Sequence, residues 1–369
     1  MALTATETPR ARAMEHKRVL IFSSQIIYPF AVLLFFSALY IIFPQHLLLE
    51  RKPSLRYVSL HKPLPDRLLF LKAIRSSSIR DRTNHLSEAP KIAFLFLTNS
   101  DLSFSPLWER FFDSTRPDRY NVYVHADPSS EVKIPASYIF KTQFIPAKKT
   151  CRGSPSLISA ERRLLARAIM DDQRNMYFAL ISQHCIPLHS FSFIYNFLFP
   201  AIAIAGKGTN RKSFIEIISS DPNLQDRYNA RGEGVMLPEV PFEKFRVGSQ
   251  FFILERRHAI VVLRDKKLWR KFKLPCLNID SCYPEEHYFP TLLSMENTEG
   301  FSGFTLTNVN WTGSFNGHPY LYQPQEVGEE LIHRLRRSNS TYSFLFARKF
   351  APDCLQPLMR IAEDVIFRD

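Results

Sequence analysis

The feature that most restricts the fold is a strand–helix–strand pattern beginning at Lys91. Ile92-Ala-Phe-Leu-Phe-Leu97 is an unbroken apolar run of strand length, as expected of a strand covered on both faces. Ser105-Pro106 then offers a helix N-cap followed by proline at the first helical position, and Leu107, Trp108, Phe111 and Phe112 recur on one helical face. Tyr120-Asn-Val-Tyr-Val124 reads as a second strand ending at His125-Ala-Asp127. This order over about 35 residues is a βαβ unit and argues for a parallel sheet. A helix is expected over Ser156–Met170, a further buried strand at Met176–Ile181, and later strands at Ser213–Ile218 and Gln250–Leu254. The fold class is therefore α/β. Ligands of open α/β sheets bind outside the carboxyl ends of the strands, which makes Thr98-Asn99 and His125-Ala-Asp127 the expected neighbourhood of a nucleotide.

Ahead of this domain, residues 19–43 carry no charge and include Ala31-Val-Leu-Leu-Phe-Phe36. A run of this length spans a bilayer as a helix, exceeds the apolar core of a signal peptide, and is not followed by a small-x-small cleavage site. The expected organisation is a cytoplasmic tail (1–18), a transmembrane signal anchor (19–43), a Lys-, Arg-, Ser- and Pro-rich stem (44–90) and a lumenal domain (91–369). Flanking cations stand on both sides of the run, so charge does not set its orientation. Two sequons, Asn310-Trp-Thr312 and Asn339-Ser-Thr341, and five cysteines lean toward a secretory lumen with one or two disulfides.

The formal charge of +13 divides as +2 over residues 1–43, +5 over 44–90 and +6 over the remainder. Much of the excess thus lies around the anchor, and no basic run or stacking-plus-basic module marks a nucleic-acid binder. Anionic headgroups or a phosphate-bearing substrate account for it. No G-x-G-x-x-G, Walker A, H-E-x-x-H or G-x-S-x-G motif occurs, which argues against dinucleotide oxidoreductases, P-loop NTPases, zincins and α/β-hydrolases. No Asp-x-Asp pair is present to hold a divalent ion against a nucleotide diphosphate, so cationic side chains would have to neutralise such a leaving group.

Three segments could carry chemistry. In Asp280-Ser-Cys-Tyr-Pro-Glu-Glu-His-Tyr288 the adjacent Glu285 and Glu286 point different ways on any regular backbone, so one can face a cleft as a base; equally, both suit a solvated helix start after Pro284. In Phe344-Leu-Phe-Ala-Arg-Lys-Phe350, Arg348 and Lys349 close an apolar strand, where they could meet a diphosphate or simply face solvent. Trp311 offers an aromatic face to a sugar ring, although a lone Trp is commonly core.

Taken in order, these blocks resemble the Core-2/I-branching β-1,6-N-acetylglucosaminyltransferase family (glycosyltransferase family 14-like), particularly its plant branch. The resemblance runs from about Lys91 to Lys349. It rests on Lys91–Thr98, Pro106-Leu-Trp-Glu-Arg-Phe-Phe112, Tyr123-Val-His125, Ala160-Glu-Arg-Arg-Leu-Leu165 and Ser182-Gln-His-Cys-Ile-Pro-Leu188. It continues through Met236-Leu-Pro-Glu-Val240, Gly248-Ser-Gln-Phe-Phe252, Glu286-His-Tyr288, Val309-Asn-Trp311 and Leu345–Phe350. The resemblance implies a GT-A-like, Rossmann-type fold, inversion at the anomeric carbon, a nucleotide-sugar donor, a glycan or glycoprotein acceptor, no obligatory metal or other cofactor, and a type II Golgi or other secretory-pathway membrane location. N-acetylglucosamine is the sugar it suggests.

By the same resemblance Glu286 is the general base, Lys349 contacts the donor diphosphate with Arg348 beside it, and Trp311 lies near the acceptor sugar with Glu285 in support. Two departures stand out: Arg152-Gly153 replaces the Trp-Gly of plant members, and Ser182-Gln-His-Cys185 replaces Ser-Glu-Ser-Cys. The family's second diphosphate-binding Arg has only candidates here, namely Arg336, Arg337 and Arg348. The alternative expectation is an inactive, membrane-anchored glycan-binding or scaffold protein of the same fold.

Overall fold

The computed structural model describes residues 32–36, 63–80, 89–113, 117–200, 211–296, 300–314 and 317–369. Of the expected anchor only residues 32–36 are described. They form a helical turn whose side chains are all exposed, and the rest of the anchor and the tail at 1–18 lie outside the described residues. Among the described residues no helix is long and apolar enough to cross a membrane.

In the unit that begins at Leu55, α1 (Asp66–Arg80) falls within the segment expected as stem. Its Leu69, Phe70 and Ala73 are buried, and the Asp66 carboxylate pairs with Arg163 and with Lys148 Nζ at 2.9 Å. The folded unit therefore reaches N-terminal of Lys91, because this helix packs its buried residues against the Pro155–Asp171 and Arg256–Arg264 helices.

The main sheet runs β2–β1–β3–β5. Strands β1 (Lys91–Thr98), β2 (Tyr120–Ala126) and β3 (Asn175–Ser182) are parallel, and β5 (Ile253–Glu255) is antiparallel to β3. The crossovers are α2 (Ser105–Asp113) and α3 (Pro155–Asp171), as the apolar periodicity predicts. α3 starts where Ser154 accepts the Ser156 amide and Pro155 takes the first turn, a position in which its missing N–H costs nothing. β1 has every residue buried except the half-buried Leu97, the reason it reads as a continuous run. A second sheet joins β4 (Ile186–Pro187), β7 (Phe346–Arg348) and β6 (Thr307–Val309) in that order, with β7 central.

Between the two sheets lies an aromatic core in which Phe94 meets Trp108, Phe112, Phe191 and Phe346 edge-on or tilted. The Trp108 indole N–H donates to the Cys185 carbonyl at 3.2 Å, so its one polar atom is satisfied. The Arg162 and Arg163 pair of α3 is also buried. Arg162 lies over the rings of Phe70 and Trp269 and donates to the Asp265 carbonyl at 2.8 Å, which holds α3 against α1 and the later helices.

Two strand expectations change. Residues 213–218 make only isolated bridges, Ser213 with Phe301, Phe214 with Ile253 and Ile218 with Val247, so this apolar run crosses the sheet edge without joining it over its length. The strand expected at Gln250–Leu254 is shorter and later, at Ile253–Glu255. One disulfide, Cys276–Cys282, forms among the described residues, leaving Cys151, Cys185 and Cys354 as thiols.

Candidate active site

The parallel strands β1 and β3 end together, with Leu97 opposite Ser182 in register, and their carboxyl ends open into a cavity of about 540 Å³. Leu97, Thr98 and Asn99 line one wall with Ser182, Gln183 and His184. The 282–287 and 246–251 loops close the second side, and the segments beyond β6 and β7 close the third. Glu286, Arg348 and Lys349 all line this one cavity. The carboxylate and the cations that the sequence singled out, 62 positions apart and more, are therefore brought to a single cleft.

Glu286 owes its place to local backbone. Tyr283 adopts a left-handed conformation (φ +32°) directly after the disulfide-bonded Cys282, and Pro284 then starts a single 3₁₀ turn. That turn sends the two glutamates apart. Glu285 points inward, 4% exposed, and its Oε1 accepts the Gly153 amide at 3.1 Å. Glu286 keeps its side chain 26% exposed, and its Oε2 accepts from Arg227 Nη1 at 3.0 Å. The Glu286 carbonyl accepts the Gly248 amide at 2.9 Å. A Cβ on Gly248 would sit 2.0 Å from the Glu216 carbonyl oxygen, so only glycine lets this backbone pass between the Glu286 turn and the Glu216 segment.

Electrostatics separate the two acids. Burial pushes Glu285 up to about 7, with the neighbouring Glu286 charge adding to the effect against the hydrogen bond from Gly153. Burial also raises Glu286, but Arg227, Arg152 and Arg348 oppose that rise. Beneath them Glu161 is fully buried, accepts from Gln250 and is pushed well above the carboxylate range by desolvation.

At the other end of the cleft the Arg348 guanidinium stacks 4.3 Å over the Phe251 ring, and its buried Nε has no hydrogen-bond partner. Burial lowers its proton affinity. Burial, then Arg348 and Arg152, lower that of Lys349 as well. Lys349 forms no ion pair among the described residues. His184 Nδ1 donates to the Phe350 carbonyl at 3.0 Å, and burial with the adjacent Lys349 lowers its pKa to about 4, so it is neutral and leaves Nε2 as an acceptor. Arg152 donates to the Gly317 carbonyl at 2.7 Å and lies over the Tyr283 ring. The result is a cleft with Glu285 and Glu286 toward one side and Arg348 and Lys349 toward the other, the polarity that a proton acceptor and a diphosphate leaving group require.

Not every sequence candidate belongs to the cleft. Thr98 lines it, and Trp311 lines it while remaining 51% exposed. His125 is fully buried outside the lining. Its Nε2 accepts the Lys148 amide at 3.2 Å, and burial beside Arg163 lowers its pKa to about 4. Asp127 is buried too and is spent on the turn, accepting from the amides and hydroxyls of Ser129 and Thr150. His125 closes β2 and Asp127 follows it, and the 144–150 segment covers this end of the strand, which is why proximity to a strand terminus misplaced them. Glu285 lines the cleft but its carboxylate is turned to Gly153.

Asn310 lies outside the lining, with its Nδ2 donating to Tyr322 Oη at 3.3 Å, and Asn339 is exposed on a turn. Arg336 is spent on the carbonyls of Leu188, Val365 and Ile366, so of the three Arg candidates only Arg348 reaches the cleft. Arg227, Glu216 and Asp221 line the site without having been anticipated. Arg227 sits in a short polar helix, Leu224–Asn229, with nothing in its local sequence to distinguish it from a surface charge.

Residues 92–336 match a family model described as Core-2/I-Branching enzyme. Over 309 residues the chain is 26% identical to Glycosyltransferase BC10 of Oryza sativa subsp. japonica, a match that covers 70% of this chain and 73% of that protein.

Proposed function

The chain belongs to the Core-2/I-branching enzyme family, and from that premise we propose that it is an inverting glycosyltransferase that moves a sugar from a nucleotide-sugar donor to a hydroxyl of a glycan. The observation that carries this reading is the placement of Glu286 and of Arg348 with Lys349 in one cavity large enough for a nucleotide sugar. Glu286 takes the proton of the acceptor hydroxyl as its oxygen attacks the anomeric carbon. The bond from that carbon to the diphosphate oxygen breaks on the opposite face, and the nucleoside diphosphate leaves with its charge held by Lys349 and Arg348. General-base work of this kind contributes roughly 10²–10⁴-fold, and electrostatic stabilisation of the leaving group about 10²–10³-fold.

N-acetylglucosamine is the first donor sugar to test, and the cationic wall supports turnover without a divalent metal. The proposed setting is a type II secretory-pathway membrane, with residues 19–43 as anchor and the cleft in the lumen. Protease protection of the sealed organelle fraction checks that orientation. Purified protein offered a panel of nucleotide sugars, with and without EDTA and with and without glycan acceptors, tests the chemistry. Neither transfer nor slow donor hydrolysis with any donor would sink it.

One observation favours the second reading, an inactive glycan-binding protein of the same fold: the two departures, Arg152 and Gln183, both line the cleft. That protein would bind nucleoside diphosphate or glycan in the same panel and turn over nothing.

A further inference from the structure

Away from the cleft lining, one stretch of surface has a composition that neither the chemistry nor the core uses. Between Arg264 and Ile279 the chain carries six cations and a single acid. That acid, Asp265, is turned inward, accepting from the Tyr288 hydroxyl and from the Leu268 and Trp269 amides. Lys271 pairs with Glu239 at 3.0 Å, but Lys266, Lys267 and Lys273 are exposed and form no ion pair among the described residues. The helix Lys267–Phe272 sets Leu268 and Phe272 into the core, which leaves Lys267 and Arg270 on its outer side.

Directly after these cations comes an apolar tip. Leu277 and Ile279 are 78% and 70% exposed, and the exposed Asp280 marks its edge. The loop is closed by the Cys276–Cys282 disulfide and pinned where the Leu277 and Asn278 amides donate to the Ala230 carbonyl at 2.8 and 2.9 Å. Apolar side chains held out into water on a fixed loop have already lost the freedom that binding would otherwise remove. Helix α1 flanks the same region, since the Arg162 guanidinium lies over both Phe70 of α1 and Trp269. Its outward face repeats the mixture, with Leu68, Lys72 and Arg75 exposed on successive turns. Residues 44–62, between the expected anchor and the first described residue before α1, reach at most about 65 Å even when fully extended.

We propose that this face, Lys266, Lys267, Arg270 and Lys273 with the tip at Leu277 and Ile279, docks on an anionic membrane surface. The cations meet lipid phosphates and carboxylates, each contributing about fivefold to binding, while Leu277 and Ile279 enter the boundary between headgroups and acyl chains. Charge complementarity selects the bilayer over a second copy of the chain, whose matching face is equally cationic. An acidic polysaccharide would satisfy the cations but offers nothing to the apolar tip. The tip loop runs directly into Tyr283, which lines the cleft, so docking fixes how the cleft is presented to the bilayer. The surface goes beyond the glycosyl-transfer reading and rests on the membrane setting proposed with it.

The test reconstitutes the full chain into nanodiscs of phosphatidylcholine alone or with about 30% phosphatidylserine and reads hydrogen exchange. Exchange at residues 274–281 slows about fivefold or more in the anionic discs, and about 0.5 M salt abolishes the difference. Lys266→Glu with Lys267→Glu removes it, and Leu277→Ser with Ile279→Ser reduces it. All four positions are exposed, and an unchanged thermal midpoint checks that each variant folds. Equal exchange in the two discs, or slowing that survives the charge reversal, overturns the docking face. So does slowing in neutral discs that follows added polygalacturonate or protein concentration, which would put an acidic polysaccharide or a second copy there instead. Extraction of the chain from membranes by alkaline carbonate would defeat the anchor and not the face, which the same exchange measured with vesicles of the two compositions then decides.

Discussion

Glu286→Gln separates chemistry from architecture in this cleft. Gln is nearly isosteric and its amide oxygen can still accept from Arg227 Nη1, which lies 3.0 Å from the carboxylate. What is lost is one half of an ion pair whose side chains are 19% and 26% exposed, an interaction that contributes at most about 1 kcal/mol at such a site. Removal of a general base costs roughly 10²–10⁴ in rate, equivalent to about 3–5.5 kcal/mol of barrier. The two magnitudes differ enough to be told apart. Transfer measured at saturating donor should fall by that factor, while nucleoside diphosphate affinity and the thermal midpoint stay near wild type.

The pH profile adds a second readout. A base must be ionised, and burial raises the proton affinity of Glu286, so wild-type rate climbs with pH through its elevated pKa and the residual rate of the variant does not. Transfer by Glu286→Gln within about threefold of wild type would refute the assignment. So would a loss confined to Glu285→Gln.

Four further outcomes are expected. Lys349→Met weakens nucleoside diphosphate binding by about tenfold or more, measured by calorimetry, since a half-buried cation with no ion pair among the described residues is removed from the anion's side of the cleft. Glu285→Gln changes the pH dependence of stability. The folded-state pKa of Glu285 is raised to about 7, so the folded protein holds that proton more tightly than the unfolded chain and wild-type stability falls as pH rises between the two values. The variant lacks this loss and gains relative to wild type, by on the order of 3 kcal/mol above neutral pH, in denaturant titrations. Gly248→Ala forces a methyl against the Glu216 carbonyl and costs about 3 kcal/mol in such titrations, with loss of transfer because the Glu286 turn must move. Cys276→Ser opens the short loop that precedes Tyr283 and lowers stability by about 2 kcal/mol on the chain-entropy estimate, read as a reduced thermal midpoint.

Much of the central sheet could be read in advance because its signals are local. The run at β1 and the capped helices α2 and α3 carry their periodicity within a dozen residues or so, and their observed bounds differ from the expected ones by a residue or two. The 213–218 segment shows where that logic stops. It has the composition of a strand, yet its carbonyls and amides bridge three different neighbours, Phe301, Ile253 and Val247, none adjacent in sequence. Helix α1 hid for the opposite reason. Its apolar residues are diluted by Lys, Arg and Ser, and what retains it is Arg163, almost a hundred positions away.

The candidate site divides in the same way. Residue type and order along the chain marked the Glu285-Glu286 pair after Pro284 and the Arg348-Lys349 pair closing an apolar strand, and the family resemblance chose Glu286 and Lys349 from them. Only the tertiary structure decided which of two adjacent glutamates faces the cleft, because a left-handed residue and one 3₁₀ turn rotate Glu285 onto the Gly153 amide and leave Glu286 to Arg227. It also decided that His125 and Asp127 are buried supports and that Arg227 is a cleft residue. Burial and pairing depend on what other segments bring into contact, and a linear sequence states the charges without stating which of them lose their water.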